Sequence, residues 1–409
     1  MSASNRRQLF LVVIIFIAFI SLGLPDGLLD IANPRIRHTF TIEPDIFSLI
    51  FVTGVAGYSL SGFFAGQLVQ RLGIGLLLSG SCFMTALALF GNAIAPAWSW
   101  FVLLGLAGGA GAGAIDAGLN TYVATNHGPR MMFWLHAFFG VGVTSGTWLM
   151  SLVVNSGKTW RLGYAIVGGM QIALALCFLL TRARWSQPSA QVEQPTSKPV
   201  RTPIMDSLRL PVVWLGVALF FLYTGAEVAA GRWSTSLFIE GRHIKASTAG
   251  LWVSAYWGMF TFGRVMAGVL GRWLTPLTFL RISLIESLAA TLLLVTNPFN
   301  WSGGVALPLL GFAFAPIFPI LISITPGRVG AAHAANTIGF QIAAAGLGAA
   351  VLPGLTGVLA KIASITAMPV VLLVTVILIL LLHELSQAAK RSREIVSTVP
   401  SPQAETAQD

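Results

Sequence analysis

Runs of about 20 or more apolar residues, parted by short polar breaks, recur along all 409 residues of the chain. A helix rising about 1.5 Å per residue needs roughly 20 such residues to cross a hydrocarbon core of about 30 Å. The pattern therefore predicts an all-α membrane protein of twelve transmembrane helices, near 9–33, 45–70, 73–94, 97–124, 130–154, 161–181, 210–238, 247–271, 275–296, 300–325, 329–359 and 362–386. The first run follows Arg6 and Arg7 as a signal peptide would, but it is too long and has no small-residue cleavage site, so it is expected to remain. One long polar stretch, with Pro188, Pro195, Pro199 and Pro203 among Ser and Gln, separates the sixth run from the seventh. It divides the chain into a six-helix half at 1–185, a cytoplasmic linker at 186–208 and a second half at 209–388, followed by a tail at 389–409 expected to be disordered.

The halves share more than hydropathy. Asp26 in the first run is answered by Glu227 in the seventh, 201 residues later, and Gly57-x4-Gly62-x8-Arg71 is answered by Gly258-x4-Gly263-x8-Arg272 at the same offset. Landmarks repeated in register imply a duplicated plan of two pseudo-symmetric halves inserted in the same direction.

Composition fits lipid as the solvent. With 55% hydrophobic and 9% charged residues, a water-soluble protein of this length would lack the polar surface to cover itself. The net charge of +10 does not indicate nucleic acid, because Lys and Arg fall between the apolar runs and form no basic face with interleaved aromatics. Most of them lie on one side, which by the positive-inside rule puts both termini in the cytoplasm, in what is expected to be a bacterial inner membrane. Trp98, Trp100, Trp160, Trp214, Trp273 and Trp301 fall at run ends, where indoles anchor at the headgroups. Cys82 and Cys177 lie inside apolar runs, and His383-Glu384 lacks a second His four residues after the first, so neither a metal site nor an enzyme is expected.

Charges inside the membrane are expensive and mark function. Helix arithmetic puts Asp26, Asp30 and Glu227 in the outer halves of their spans, and Asp116, His136 and Arg264 at a similar depth about two turns from the cytoplasmic ends. A carboxylate, an imidazole and a guanidinium in one layer suit a gate or a proton relay. Arg71, Arg264 and Arg272 are the candidates for a cytoplasmic gate. Gly108, Gly109, Gly111 and Gly113 precede Asp116 within a span, so they serve close helix approach and not a nucleotide loop.

Several motifs carry a resemblance. They are Asp30-Ile31-Ala32-Asn33-Pro34, Gly111 to Val123 with Asp116 four residues before Asn120, His136 to Gly142, Tyr223 to Val228, and Pro316-Ile317-Phe318-Pro319 leading to Arg328-Val329-Gly330. Together they resemble the fucose permease and glucose-galactose permease family of sugar:cation symporters, within the major facilitator superfamily. The resemblance implies that superfamily's fold, a monomeric transporter, and coupling of a monosaccharide to a transmembrane H⁺ or Na⁺ gradient without a bound cofactor. Asp30 and Asp116 then correspond to the acids of coupling and recognition, with His136 beside them. Two departures stand out: Gln70 replaces the usual acid of the loop after the second span, with Ile74 and Gly75 in place of its basic pair, and Phe139 stands where a polar sugar contact is expected.

A sugar asks for hydrogen-bonding groups and an aromatic face. Asp26, Asn120, Tyr223, Glu227, Trp257, Asn336 and Gln341 supply that mixture on cavity-lining spans and are the expected substrate contacts. Alternating access about a midplane site, with protonation lowering the cost of moving a carboxylate through an occluded state, is the expected mechanism. The alternative is a proton-coupled exporter of drugs or metabolites, which the same carboxylates would drive.

Overall fold

The structure, a computed structural model, describes residues 3–185 and 202–398. Among them all regular structure is helical, in twelve long helices and a few short connecting turns. The first half contains α1 (Ala3–Phe40), α2 (Leu49–Leu72), α3 (Ile74–Ile94), α4 (Trp98–Asn126), α5 (Pro129–Asn155) and α6 (Trp160–Thr181). The second contains α7 (Pro211–Ser236, extended by a π turn to Gly241), α8 (Ala246–Leu270), α9 (Pro276–Thr296), α10 (Ser302–Val329, interrupted between Phe314 and Ile317), α11 (Ala331–Ile362) and α12 (Met368–Thr398).

Eleven of these are long and apolar enough to cross a membrane. The exception, α8, has the length but carries Arg264 among Ser, Tyr and Trp residues, which dilute its hydropathy. With twelve helices crossing in alternate directions, the start of α1 and the end of α12 lie at one end of the bundle, called here the terminal end. The tail expected to be disordered from 389 continues as α12 to Thr398, while most of the linker, 186–201, lies outside the described residues.

The duplication is visible in the packing. In the first half α1 packs on α5, α2 on α4, and α3 on both α4 and α6; in the second, α7 packs on α11, α8 on α10, and α9 on both α10 and α12. Each contact is its counterpart moved on by six helices. Lipid offers no hydrophobic drive for helix association, so backbones must approach closely, and small residues allow it. On the α1–α5 seam Gly23 and Gly27 meet Gly142 and Gly146 of the facing helix, where any Cβ would collide with backbone.

The expected interfacial tryptophans divide. Trp100, Trp214, Trp273 and Trp301 are exposed, whereas Trp160 is buried, donating from Nε1 to Thr39 Oγ1 at 3.0 Å, and Trp98 stacks between Phe47 and Phe101. Phe40 at the far end of α1 packs against both Trp98 and Trp160.

Candidate functional site

The halves touch along α2–α11 and α5–α8 toward the terminal end, and part toward the opposite end. Between them lies a cavity of about 510 Å³ that reaches Ile50 and Phe51 in the first turn of α2. Asp26, Asp116, His136, Glu227 and Arg264 all line it. The carboxylates repeated at offset 201 thus face one shared space, one from each half.

At its floor a hydrogen-bonded chain crosses from α2 to α5. Tyr58 donates its hydroxyl to Asp116 Oδ2, and Asn120 Nδ2 donates to Asp116 Oδ1 at 2.6 Å. Asn120 sits one turn beyond Asp116 on α4, which is why one amide reaches that carboxylate. Its amide hydrogens being committed there, Oδ1 faces His136 Nε2 at 3.1 Å and must accept from it. This fixes the imidazole with its proton on Nε2, pointing toward Asp116 through a single amide. Phe19 and Phe318 hold the ring edge-to-face at 5.4 and 4.9 Å.

Arg264 closes the layer from α8. It is buried, its guanidinium lies 4.3 Å above the Phe260 ring, and Nη1 reaches the His136 carbonyl at 3.5 Å. Its Nε has no partner, and neither does the hydroxyl of Thr224 on the same cavity wall. A buried donor without an acceptor costs free energy of about 1–3 kcal/mol.

The remaining expected contacts fall elsewhere. Asp30 is exposed one turn beyond Asp26 and does not line the cavity. Asn120 is wholly buried behind Asp116 and serves the chain just described. The Tyr223 hydroxyl donates to the Phe314 carbonyl at 2.7 Å, where α10 breaks. Trp257 lies outside the cavity on the outer surface of α8, packed over Gly231. Gln341 is buried, accepting from Thr325 Oγ1 at 3.0 Å. Asn336 is buried at the terminal end, with Nδ2 donating to Thr202 O and Ser207 Oγ, each at 3.1 Å.

The three arginines expected at the gate lie in two places. Arg264 is a cavity residue, and Arg71 and Arg272 are exposed at the terminal end, Arg272 lying over the Trp273 ring. With Gln70 in the acid's place, Arg71 forms no ion pair among the described residues. Gln70 instead accepts from Thr202 N at 3.0 Å and donates to Asn336 Oδ1 at 3.4 Å, while Gln67 donates to Thr202 O at 2.8 Å. The closure is a neutral amide network that incorporates the last residues of the linker.

Tyr58 and Thr224 escaped the sequence reading. Tyr58 follows the landmark Gly57, but its position in the second half is Met259, so a search for repeats passes over it.

Comparison with known proteins gives a consistent picture. The Major Facilitator Superfamily family model matches residues 13–353. Bypass of stop codon protein 6 of Saccharomyces cerevisiae is 24% identical over 405 residues, covering 88% of this chain and 79% of that protein. The 3-(3-hydroxy-phenyl)propionate transporter of Escherichia coli is 25% identical over 367 residues, covering 87% and 88%. Among solved structures, FucP, the Escherichia coli fucose:proton symporter, in its outward conformation matches with a TM-score of 0.75 at 18% identity, over 92% of this chain and 98% of that one.

Proposed function

The chain belongs to the Major Facilitator Superfamily, a family of transporters and not of enzymes, and on that premise we propose that it is a proton-coupled symporter of a neutral polar solute of monosaccharide size. Both termini are cytoplasmic on this reading, and the cavity faces outward. The observation that carries it is the linked set at the cavity floor: Tyr58, Asp116, Asn120 and His136 in one hydrogen-bonded chain, beside Glu227 and the unpartnered Thr224 hydroxyl.

Three carboxylates and one guanidinium make the space net negative when all are charged, which disfavours an anion and favours a proton. The proton binds at Asp116, whose neutralisation lets the cavity close over a dry interior, while Asn120 and His136 hold that side chain in place, and the proton leaves to water when the α5–α8 contact parts. Glu227 and Thr224 hold solute hydroxyls, and Phe139 and Phe318 cover its C–H face. Reciprocal coupling between proton and solute follows from linkage.

A second reading has support in the unpartnered Arg264 Nε and the aromatic walls: an aromatic carboxylate, as the name of the Escherichia coli relative suggests for that protein. Proteoliposomes containing a pH-sensitive dye separate the two. Monosaccharides and polyols should acidify the lumen on addition, and 3-hydroxyphenylpropionate should not. Asp116→Asn should abolish uphill accumulation while retaining counterflow. Normal accumulation by that variant rules Asp116 out as the coupling group, and acidification by the aromatic acid alone selects the second reading.

A further inference from the structure

The cavity is not confined to the space between the halves. It continues into the first half between α1, α3, α4 and α6, where Ser21, Thr85, Asn92, Tyr164 and Gln171 line it. Among the described residues nothing from α9 or α12, the counterparts of α3 and α6, lines it. At the offset of 201, Ser21 and Asn92 are answered by Leu222 and Leu293, so the polarity of this recess is no part of the duplicated plan.

Part of that polarity is consumed by the fold. Pro25 inside α1 has no N–H, so the Ser21 carbonyl one turn earlier loses its helical partner. Gln171 of α6 donates Nε2 to that carbonyl at 3.1 Å. Ser21 Oγ donates to Ala18 O at 2.9 Å, and Thr85 Oγ1 donates to Ser81 O at 3.0 Å. These three side chains are bonded to backbone.

Asn92 and Tyr164 are not. They lie two residues before the end of α3 and in the second turn of α6, and are 6% and 3% exposed. Asn92 Oδ1 is buried and unpaired, and Asn92 Nδ2 and the Tyr164 hydroxyl face the recess without an acceptor among the described residues. The aim of the hydroxyl is fixed, because the Tyr164 ring packs edge-to-face with Phe101 at 5.8 Å and with Trp160 at 5.5 Å. Buried polar groups without partners are few in native proteins and cost stability, so two on one wall call for a guest. Its chemistry follows from what they lack. Two neutral donors ask for an oxygen lone pair, and the Asp26 carboxylate, which lines the same cavity within electrostatic reach of Tyr164, asks for a hydrogen. An anion would satisfy the donors and be repelled by Asp26. An alcohol satisfies both, since one hydroxyl accepts and donates.

We infer that the recess is a specificity subsite for a solute hydroxyl, with Asn92 and Tyr164 donating to its oxygen. The inference rests on the symport reading and sharpens it. Glu227 and Thr224 hold the solute from the second half, and the recess selects solutes that carry a further hydroxyl on the end turned to the first half. A site built to hydrogen-bond a hydroxyl rejects the analogue that lacks it, because its own polar groups are then left unpaired. The solute is thereby read by α3 and α6, whose counterparts α9 and α12 stay outside the cavity.

The test uses the full chain in detergent, with D-galactose, D-glucose and D-sorbitol as probes and ligand-induced stabilisation as the measure of affinity. Without solute, Tyr164→Phe and Asn92→Leu should each raise the unfolding temperature, because each removes an unpaired polar group and keeps the packing. Both should weaken the affinity for the best-bound probe about tenfold. One monodeoxy analogue of that probe should bind wild type about tenfold more weakly than the parent and lose nothing further in Tyr164→Phe. Wild-type affinity in both variants overturns the subsite, and so does a further loss in Tyr164→Phe for every monodeoxy analogue. A lowered unfolding temperature with unchanged affinity, the mark of a packing role, overturns it as well. Thr224→Val separates this inference from the reading beneath it. A probe weakened by that substitution and indifferent to both recess variants leaves the symport reading standing and removes the subsite, whereas no stabilisation by any of the three probes removes both.

Discussion

Two of the contacts that join the halves are symmetry mates built from different materials. Along α2–α11 the surfaces are neutral and mostly small: Gly62 lies against Gly339, Gly66 against Asn336, Ser59 Oγ donates to Ala343 O at 3.1 Å, and one aromatic pair, Phe63 and Phe340, joins them. Along α5–α8 they are aromatic and cationic: Arg130 Nε donates to Gly268 O at 3.0 Å, Trp134 covers Gly268, Phe133 covers Gly271 just past the end of α8, and Arg264 reaches the His136 carbonyl. The second contact brings a cation, Arg264, among the cavity's acids, whereas the first meets them through one neutral hydroxyl: Tyr58, packed on Gly346 of α11, donates to Asp116. A change of charge in the cavity therefore acts on a charged group at α5–α8 and only on that hydroxyl at α2–α11. The first contact works as a close seam and the second as the main reader of charge.

The largest expected effect comes from wedging the seam. A Cβ at Gly66 would stand 2.6 Å from both Asn336 Cα and N, and the backbone there cannot give way as a side-chain tip would. Overpacking costs about 1–3 kcal/mol, so Gly66→Leu should reduce the closed population roughly 5- to 150-fold. A cysteine placed at Ser207, which is fully buried against His333 and Asn336, reports closure by its labelling rate once Cys82 and Cys177 are removed. An unchanged rate would mean that the seam is looser than its geometry.

Removing the charge at the other contact should separate the two roles. Arg264→Gln deletes the cation beside Asp116, Glu227 and His136, and energised uptake should fall about tenfold or more with a changed pH profile. Arg264→Lys keeps the charge and should recover part of the rate. Gly66→Leu should lower uptake without moving that profile. A shift of the profile by the seam variant, or none by Arg264→Gln, dissolves the distinction between seam and reader.

How far the sequence carries depends on which property a residue's role rests on. The twelve helices and the pairing of Asp26 with Glu227 rest on hydropathy and repetition, and both are written along the chain. Whether Asn336, Gln341 and Tyr223 face solvent or a neighbouring helix depends on rotation about the helix axis. Helices apolar on every side give no periodic signal for that. The neutral latch was half legible: Gln70 announced that the acid was missing, but its replacement needed Thr202, brought in from the linker 132 residues away. Pro25 announces that the Ser21 carbonyl loses its helical partner, but that Gln171 of α6 donates to it depends on packing.

A smaller effect is expected inside the seam itself. With cysteine in place of Ser207 as the reporter, Asn336→Ala removes the donor to Thr202 O, which keeps Gln67 Nε2 at 2.8 Å. At about 0.5–1.5 kcal/mol net for the one lost bond, the labelling rate at position 207 should rise about 2- to 10-fold, below the effect of Gly66→Leu. No change would show that the glycine contact alone holds the seam.

The smallest effect, and the sharpest test of the seam's neutrality, is Gln70→Glu, which restores the acid that resembling loops carry. The introduced carboxylate keeps the acceptor that Thr202 N uses at 3.0 Å and strengthens that bond through its charge. It loses the longer bond to Asn336 Oδ1 at 3.4 Å and leaves two oxygens facing each other. Gain and loss are each on the order of 1 kcal/mol, so they nearly cancel, and labelling at position 207 should change by less than about fivefold. Arg71 decides the outcome, since it is exposed and forms no ion pair among the described residues. If its guanidinium reaches the new carboxylate, a charge latch forms and labelling slows more than tenfold, strongly so at low salt. That result would make α2–α11 as electrostatic as α5–α8 after a single substitution, and the contrast between the two contacts would be a matter of one side chain and not of their construction.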